Sequence, residues 1–112
     1  MIEIDVRNYL SDVLDVDVFT ETPDNPPLSF VRFEVTGGEI DNGVRSATLA
    51  IQSYAQTMQG ASMLNELVIQ AMENIADNVA NVYESNLNSY YNFTDTTTKK
   101  YRYQCVYNLF YY

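Results

Sequence analysis

The chain contains no histidine. That removes imidazole acid–base chemistry, histidine-based triads and histidine metal ligation together. Its single cysteine, Cys105, excludes an intrachain disulfide and any cysteine-cluster zinc site. Bases are scarce: six Lys and Arg stand against fifteen Asp and Glu, a formal net charge of -9. Binding to phosphate needs clustered bases, so this balance speaks against specific nucleic-acid binding and, on the same ground, against an anionic membrane surface. No apolar run approaches the ~20 residues of a membrane span. The opening Met1-Ile2-Glu3-Ile4-Asp5 lacks the basic start and apolar stretch of a signal peptide. Production in a reducing cytoplasm is therefore expected.

What is present is enough for one folded unit. The 112 residues suit a single domain, 1–112, and an apolar share of 46% places the chain well above the disorder-prone range. A domain of this size buries only about 60–70% of its unfolded surface, so added burial against a partner would help it. The acids crowd into the first part. Residues 1–41 hold ten acids against Arg7 and Arg32, and residues 42–112 hold five against Arg45, Lys99, Lys100 and Arg102. Solubility and self-repulsion are the simplest consequence.

The periodicities predict the order α-β-β-β-α-β-β. Ile2, Val6, Tyr9, Leu10, Val13 and Leu14 recur at three- and four-residue steps and predict a short helix. Val16, Val18 and Thr20 alternate with Asp17 and Phe19 as in a half-buried strand, which the prolines of Thr22-Pro23-Asp24-Asn25-Pro26-Pro27 end. Alternation resumes with Val31, Phe33 and Val35 facing one way and Phe30, Arg32 and Glu34 the other. Gly37-Gly38 and Asn42-Gly43 bracket Glu39-Ile40-Asp41, predicting a hairpin with a mobile acidic tip. The return strand, about Val44 to Tyr54, sets Ala47, Leu49, Ile51 and Ser53 against Thr48, Ala50, Gln52 and Tyr54. Ala61, Leu64, Leu67, Val68, Ala71, Met72 and Ile75 predict a core helix, ended near Asp77-Asn78. Two strands close the chain. One has Tyr83, Ser85, Leu87, Ser89 and Tyr91 on one face, and the other has Tyr101, Tyr103, Cys105, Tyr107, Leu109 and Tyr111. The expected fold is α+β: a twisted, mostly antiparallel sheet with two helices packed on one face.

Little in the sequence points to chemistry. Asp12, Asp15 and Asp17 lack the alternating spacing and glycine of a calcium loop and read as a solvated acidic edge. Asp24 and Glu34 have no lysine beside them to complete a nuclease pair. Gly37-Gly38 leads into a hairpin and not into a helix N-terminus, so it is no phosphate loop. Cys105, among inward-facing strand residues, fits a buried inert thiol. Tyrosine stands out, with ten in the chain and seven from Tyr90 onward. Three readings remain open for these: half-buried core, a protein interface, or stacking platforms beside Lys99, Lys100 and Arg102. No enzymatic activity and no cofactor are expected.

The sequence of features Phe30-Val31-Arg32-Phe33-Glu34-Val35-Thr36-Gly37-Gly38, then Ala47-Thr48-Leu49-Ala50-Ile51-Gln52-Ser53-Tyr54-Ala55, then the helix from Ala61 to Ile75, then Tyr101-Arg102-Tyr103-Gln104-Cys105-Val106, resembles the tail terminator and head-to-tail joining (tail completion) proteins of long-tailed bacteriophages. The likeness lies in the order of these segments across nearly the whole chain. Tyr54 stands where that family more often carries tryptophan. The resemblance implies a non-enzymatic virion protein at the head–tail junction, present in the host cytoplasm during assembly. It would form a homo-oligomeric ring, a hexamer, that caps the tail tube, stops its growth and offers a surface to the head connector. Its partners would be itself, the tail tube protein and the connector or head completion protein. DNA would pass through an acidic ring without binding. The candidate interface residues are Glu39, Ile40 and Asp41 at the hairpin, and Tyr101, Tyr103, Phe110, Tyr111 and Tyr112 on the closing strand. A different class also fits the composition: a small acidic inhibitor or nucleic-acid mimic that fills a basic groove on a host protein. Oligomeric state separates the two.

Overall fold

Helix α1, Ile2–Val13, forms over the first apolar stripe, with Glu3 and Asp5 in its first turn where the helix dipole favours acids. In the computed structural model, which describes residues 1–112, it is followed by β1 (Asp17–Phe19), β2 (Phe30–Asp41), β3 (Val44–Ala55), α2 (Met58–Glu73), α3 (Ile75–Asn78), β4 (Val82–Asn92) and β5 (Tyr101–Tyr111). The fold is α+β, and the order of long elements is the one the periodicities predict. The five strands form one sheet in the order β1-β2-β3-β5-β4. All neighbours are antiparallel except β1 and β2, which run parallel through the proline-rich connection of residues 20–29.

The core lies between the helices and one face of the sheet. Ile2, Val6, Tyr9, Leu10 and Leu14 of the first helical stripe meet Leu64, Val68, Ala71 and Met72 of α2. From the sheet come Val18, Val31, Phe33, Leu49, Ile51, Tyr107 and Leu109. Two polar anchors tie the layers: the Tyr9 hydroxyl donates to the Ala71 carbonyl at 2.6 Å, and Tyr107 donates to Glu73 Oε1 at 3.3 Å. Burial raises the pKa of both phenols, with Asp77 adding to the rise at Tyr9 and Glu73 at Tyr107. Thr57 caps α2 by accepting from the Gly60 backbone N–H at 3.0 Å.

Four expectations need correction. The helical stripes are narrower than predicted, since Val13 and Leu67 are exposed. The second helix stops at Glu73, and a separate short turn, α3, carries the buried Ile75. Gly37 to Asp41 is not a loose tip but the end of β2, paired with Thr48 to Val44 of β3. The turn itself is only Asn42-Gly43, with φ of 51° and 81°, the pair of positive values that a two-residue hairpin turn with the right twist requires. Gly38 is needed there for another reason: a Cβ would lie 2.7 Å from the Ser46 carbonyl oxygen on β3.

The fourth concerns phase. Bulges interrupt the pairing between Val35 and Gly37, between Val82 and Glu84, and between Leu87 and Ser89. Each inserts one residue and turns the next residues to the opposite face. Beyond the last bulge, Tyr90 therefore pairs with Cys105 on the helix-covered face and Tyr91 with Gln104 on the other. Strict alternation had placed them the other way round.

Candidate interaction surfaces

The second face of the sheet carries no helix. Phe30, Arg32 and Glu34 of β2 are in register with Tyr54, Gln52 and Ala50 of β3, which are in register with Arg102, Gln104 and Val106 of β5. These side chains share that face because residues directly opposite in a ladder point the same way.

Across its middle runs a hydrogen-bonded polar ladder. Arg32 Nη1 donates to Gln52 Oε1 at 3.2 Å, Gln52 Nε2 donates to Gln104 Oε1 at 2.9 Å, and Gln104 Nε2 bonds the Tyr91 hydroxyl. Four strands are thus linked side chain to side chain. Further along, the Thr48 hydroxyl donates to Asn108 Oδ1 at 2.9 Å. Gln52 and Gln104 are buried, although nothing but neighbouring side chains covers them. The Nε of Arg32 is also buried and has no partner.

At one end of this face lies an aromatic cluster around a guanidinium. Phe30 stacks on Tyr54 with ring centroids 4.4 Å apart, and Phe19 meets Phe30 edge-on at 5.9 Å. Arg102 lies 4.5 Å from the Phe93 ring centre and donates from Nε to the Phe93 carbonyl at 2.6 Å and from Nη1 to the Tyr54 hydroxyl at 3.3 Å. The turn that begins at Asp95 presents Lys99 and Lys100 beside it. Bonds from Thr98, and then from Thr97, hold the Asp95 carboxyl below its ordinary pKa and fix the turn. The result is a cleft of about 420 Å³ lined by Pro26, Pro27, Leu28, Phe30, Tyr54, Lys99, Lys100 and Arg102 among others, with no acid in its wall.

At the other end the sign reverses. Glu39, Asp41 and Glu84 line a groove with Val44, Ser46, Tyr83 and Phe110, and no base contributes to it. The bulge after Val35 is what brings Glu39 and Asp41 to this face, in register with Ser46 and Val44. Tyr83 packs against Tyr112 at 4.9 Å and Phe110 at 6.4 Å, closing the groove's side.

The eight candidate interface residues are therefore divided. Glu39 and Asp41 share the acidic groove with Phe110, and Ile40 is exposed beside them. Tyr112 is exposed at the same end, whereas Tyr111 packs partly against the core. Tyr101 and Tyr103 lie at the opposite end, in register with Ala55 and Ser53. The residues that interlock on the open face, Phe30, Gln52 and Gln104, each buried by its neighbours, with Tyr54 beside them, were not among the eight. They occupy the phase of each strand opposite the core residues. Their signal was the presence of large aromatic or amide side chains at positions where small polar ones would satisfy solubility.

No three His, Cys, Asp or Glu side chains gather as a potential metal site. No helix is long and apolar enough to cross a membrane. Cys105 is fully buried, and burial pushes its thiol up to about 12, which leaves it without nucleophilic thiolate at neutral pH. Compared with known proteins, the chain matches no family model and no curated sequence. What the surface offers chemically is contact: aromatic rings, amide ladders and two ends of opposite charge.

Proposed function

We propose that this chain is a structural assembly protein of a long-tailed bacteriophage. It forms a homo-oligomeric ring, a hexamer, that caps the tail tube, ends tail growth and joins the tail to the head connector. The observation that carries this reading is the uncovered sheet face. It runs the length of a molecule measuring 45 × 25 × 24 Å, and its surface is built from interlocked amides and aromatic rings. Interfaces favour such side chains, because tyrosine and arginine combine large contact area with polar tips. A closed ring gives each subunit two partners and leaves no free end, which suits a small domain with a modest core. The order of sequence segments described above supplies the phage assignment.

Deleting the gene from its phage genome and imaging the particles tests the assignment. The expected result is abnormally long tails, or tails that never join heads. Normal tail lengths with normal joining would overturn it and favour the acidic inhibitor.

A further inference from the structure

The cleft and the groove lie on the same sheet face at opposite ends. From Phe30 to Asp41 the strand β2 spans about 37 Å at ~3.4 Å per residue, so the two sites are nearly a molecule apart. One gathers three of the six bases, Lys99, Lys100 and Arg102, and the other gathers Glu39, Asp41 and Glu84. None of these six side chains makes a salt bridge within the chain, whose one salt bridge joins Arg32 to Glu34 at 3.8 Å, although the Asp95 carboxylate in the turn beside the cleft feels the charge of Arg102. Each site also has an exposed apolar residue at its margin, Leu28 at the cleft and Val44 at the groove.

We propose that the acidic hairpin end of one copy docks in the basic aromatic cleft of the next. The contact is head-to-tail: Glu39 and Asp41 of one subunit meet Lys99, Lys100 and Arg102 of its neighbour, while Val44 lies against Leu28. A contact between two different patches on identical chains generates a ring when its rotation closes and a filament when it does not. Opposite charge at the two ends fixes the polarity of the arrangement, since cleft-to-cleft and groove-to-groove meetings set like charges together. The occupant is a second copy because this chain carries the complementary groove, with the opposite sign and the same number of charges. The proposal deepens the ring reading and rests on it only for self-association, not for the phage assignment.

A charge-exchange experiment tests it with purified full-length protein. K99E/K100E and E39K/D41K, each alone, should associate about 10–100-fold more weakly than the wild type by sedimentation velocity across protein concentration. An equimolar mixture should recover association, because the reversed cleft then receives a reversed hairpin and the two wild-type ends also find each other. A second measurement does not depend on charge. L28C mixed with V44C should form disulfide-linked dimers on oxidation faster than either variant alone, with the buried Cys105 not competing. Variants that assemble as well as wild type, with no preferred Leu28-to-Val44 link, would overturn the contact and leave the cleft to an acidic segment of another protein. Wild-type protein that stays monomeric at its highest soluble concentration would also overturn it, whereas the tail-length experiment decides the phage assignment separately.

Discussion

The two faces of the sheet are made by the same strands yet do different physical work. On the helix-covered face Val31, Phe33, Leu49, Ile51, Tyr107 and Leu109 are fully or nearly fully buried against α1 and α2. On the other face the same strands present Phe30, Arg32, Gln52, Tyr54, Arg102 and Gln104, joined by hydrogen bonds and stacked rings. The first face is held by removal of apolar area from water, which is indifferent to direction. The second is held by directional bonds, which lose their worth if one partner is missing. Apolar packing and directional bonding are thereby separated by the alternation of side chains along each strand.

Substitutions affect the two faces differently, and the largest effect is expected on the covered face. Phe33→Ala removes a ring with no solvent exposure and should cost about 3–5 kcal/mol, read from denaturant unfolding. On the open face, Gln104→Leu leaves Gln52 and Tyr91 without their shared partner and should cost about 1–3 kcal/mol. The double variant Gln52→Leu with Gln104→Leu should recover much of that loss, since both ends of the central bond are gone. If the two substitutions simply add, the ladder is not a coupled network.

Alkaline titration probes the covered face without mutation. Cys105 and Tyr107 hold their protons in the fold beyond the pH at which the unfolded chain releases them. Their contribution is therefore complete below the unfolded values and is lost as pH rises toward the folded ones. Stability should fall from about pH 9 upward, at most about 1.4 kcal/mol per pH unit for each such group, and Cys105→Ala should flatten the first part of that slope. The smallest effect separates predicted from observed core. Leu67→Ser and Val13→Ser, on exposed sides of their helices, should each change stability by no more than about 0.5 kcal/mol.

Those last two positions show where sequence reading stops. The 3.6-residue period locates a helix, but the width of its buried stripe depends on the neighbour it meets, and α1 and α2 share one sheet face. The strands β3 and β5 were legible residue by residue because their alternation is unbroken over eleven paired positions. β2 and β4 were legible only to their bulges, since an inserted residue changes phase without any particular amino acid marking it. Gly37-Gly38 looked like a turn because glycine permits one. Gly38 is in fact a strand residue that allows Ser46 to approach. Each charged end was legible only in part, as the Glu39-Ile40-Asp41 tip and as Lys99, Lys100 and Arg102, and the residues that complete it were not. Lys99 and Leu28, or Glu39 and Glu84, become neighbours only through the strand order β1-β2-β3-β5-β4.

That order has a consequence for how the chain reaches its fold. β5, the last strand in sequence, sits inside the sheet, paired with β3 from Arg45↔Tyr111 to Ala55↔Tyr101 and with β4 on its other side. The β2–β3 and β4–β5 hairpins form from near neighbours, whereas joining them requires closing a loop that contains α2 and α3. Until β5 has left the ribosome, β3 displays a bare edge and β4 has nothing to pair with. Before then only β1, β2 and β3 can pair, and the five-stranded sheet cannot form. Joining β5 to β3 across that loop is the long-range step and is expected to be slower than closing either hairpin.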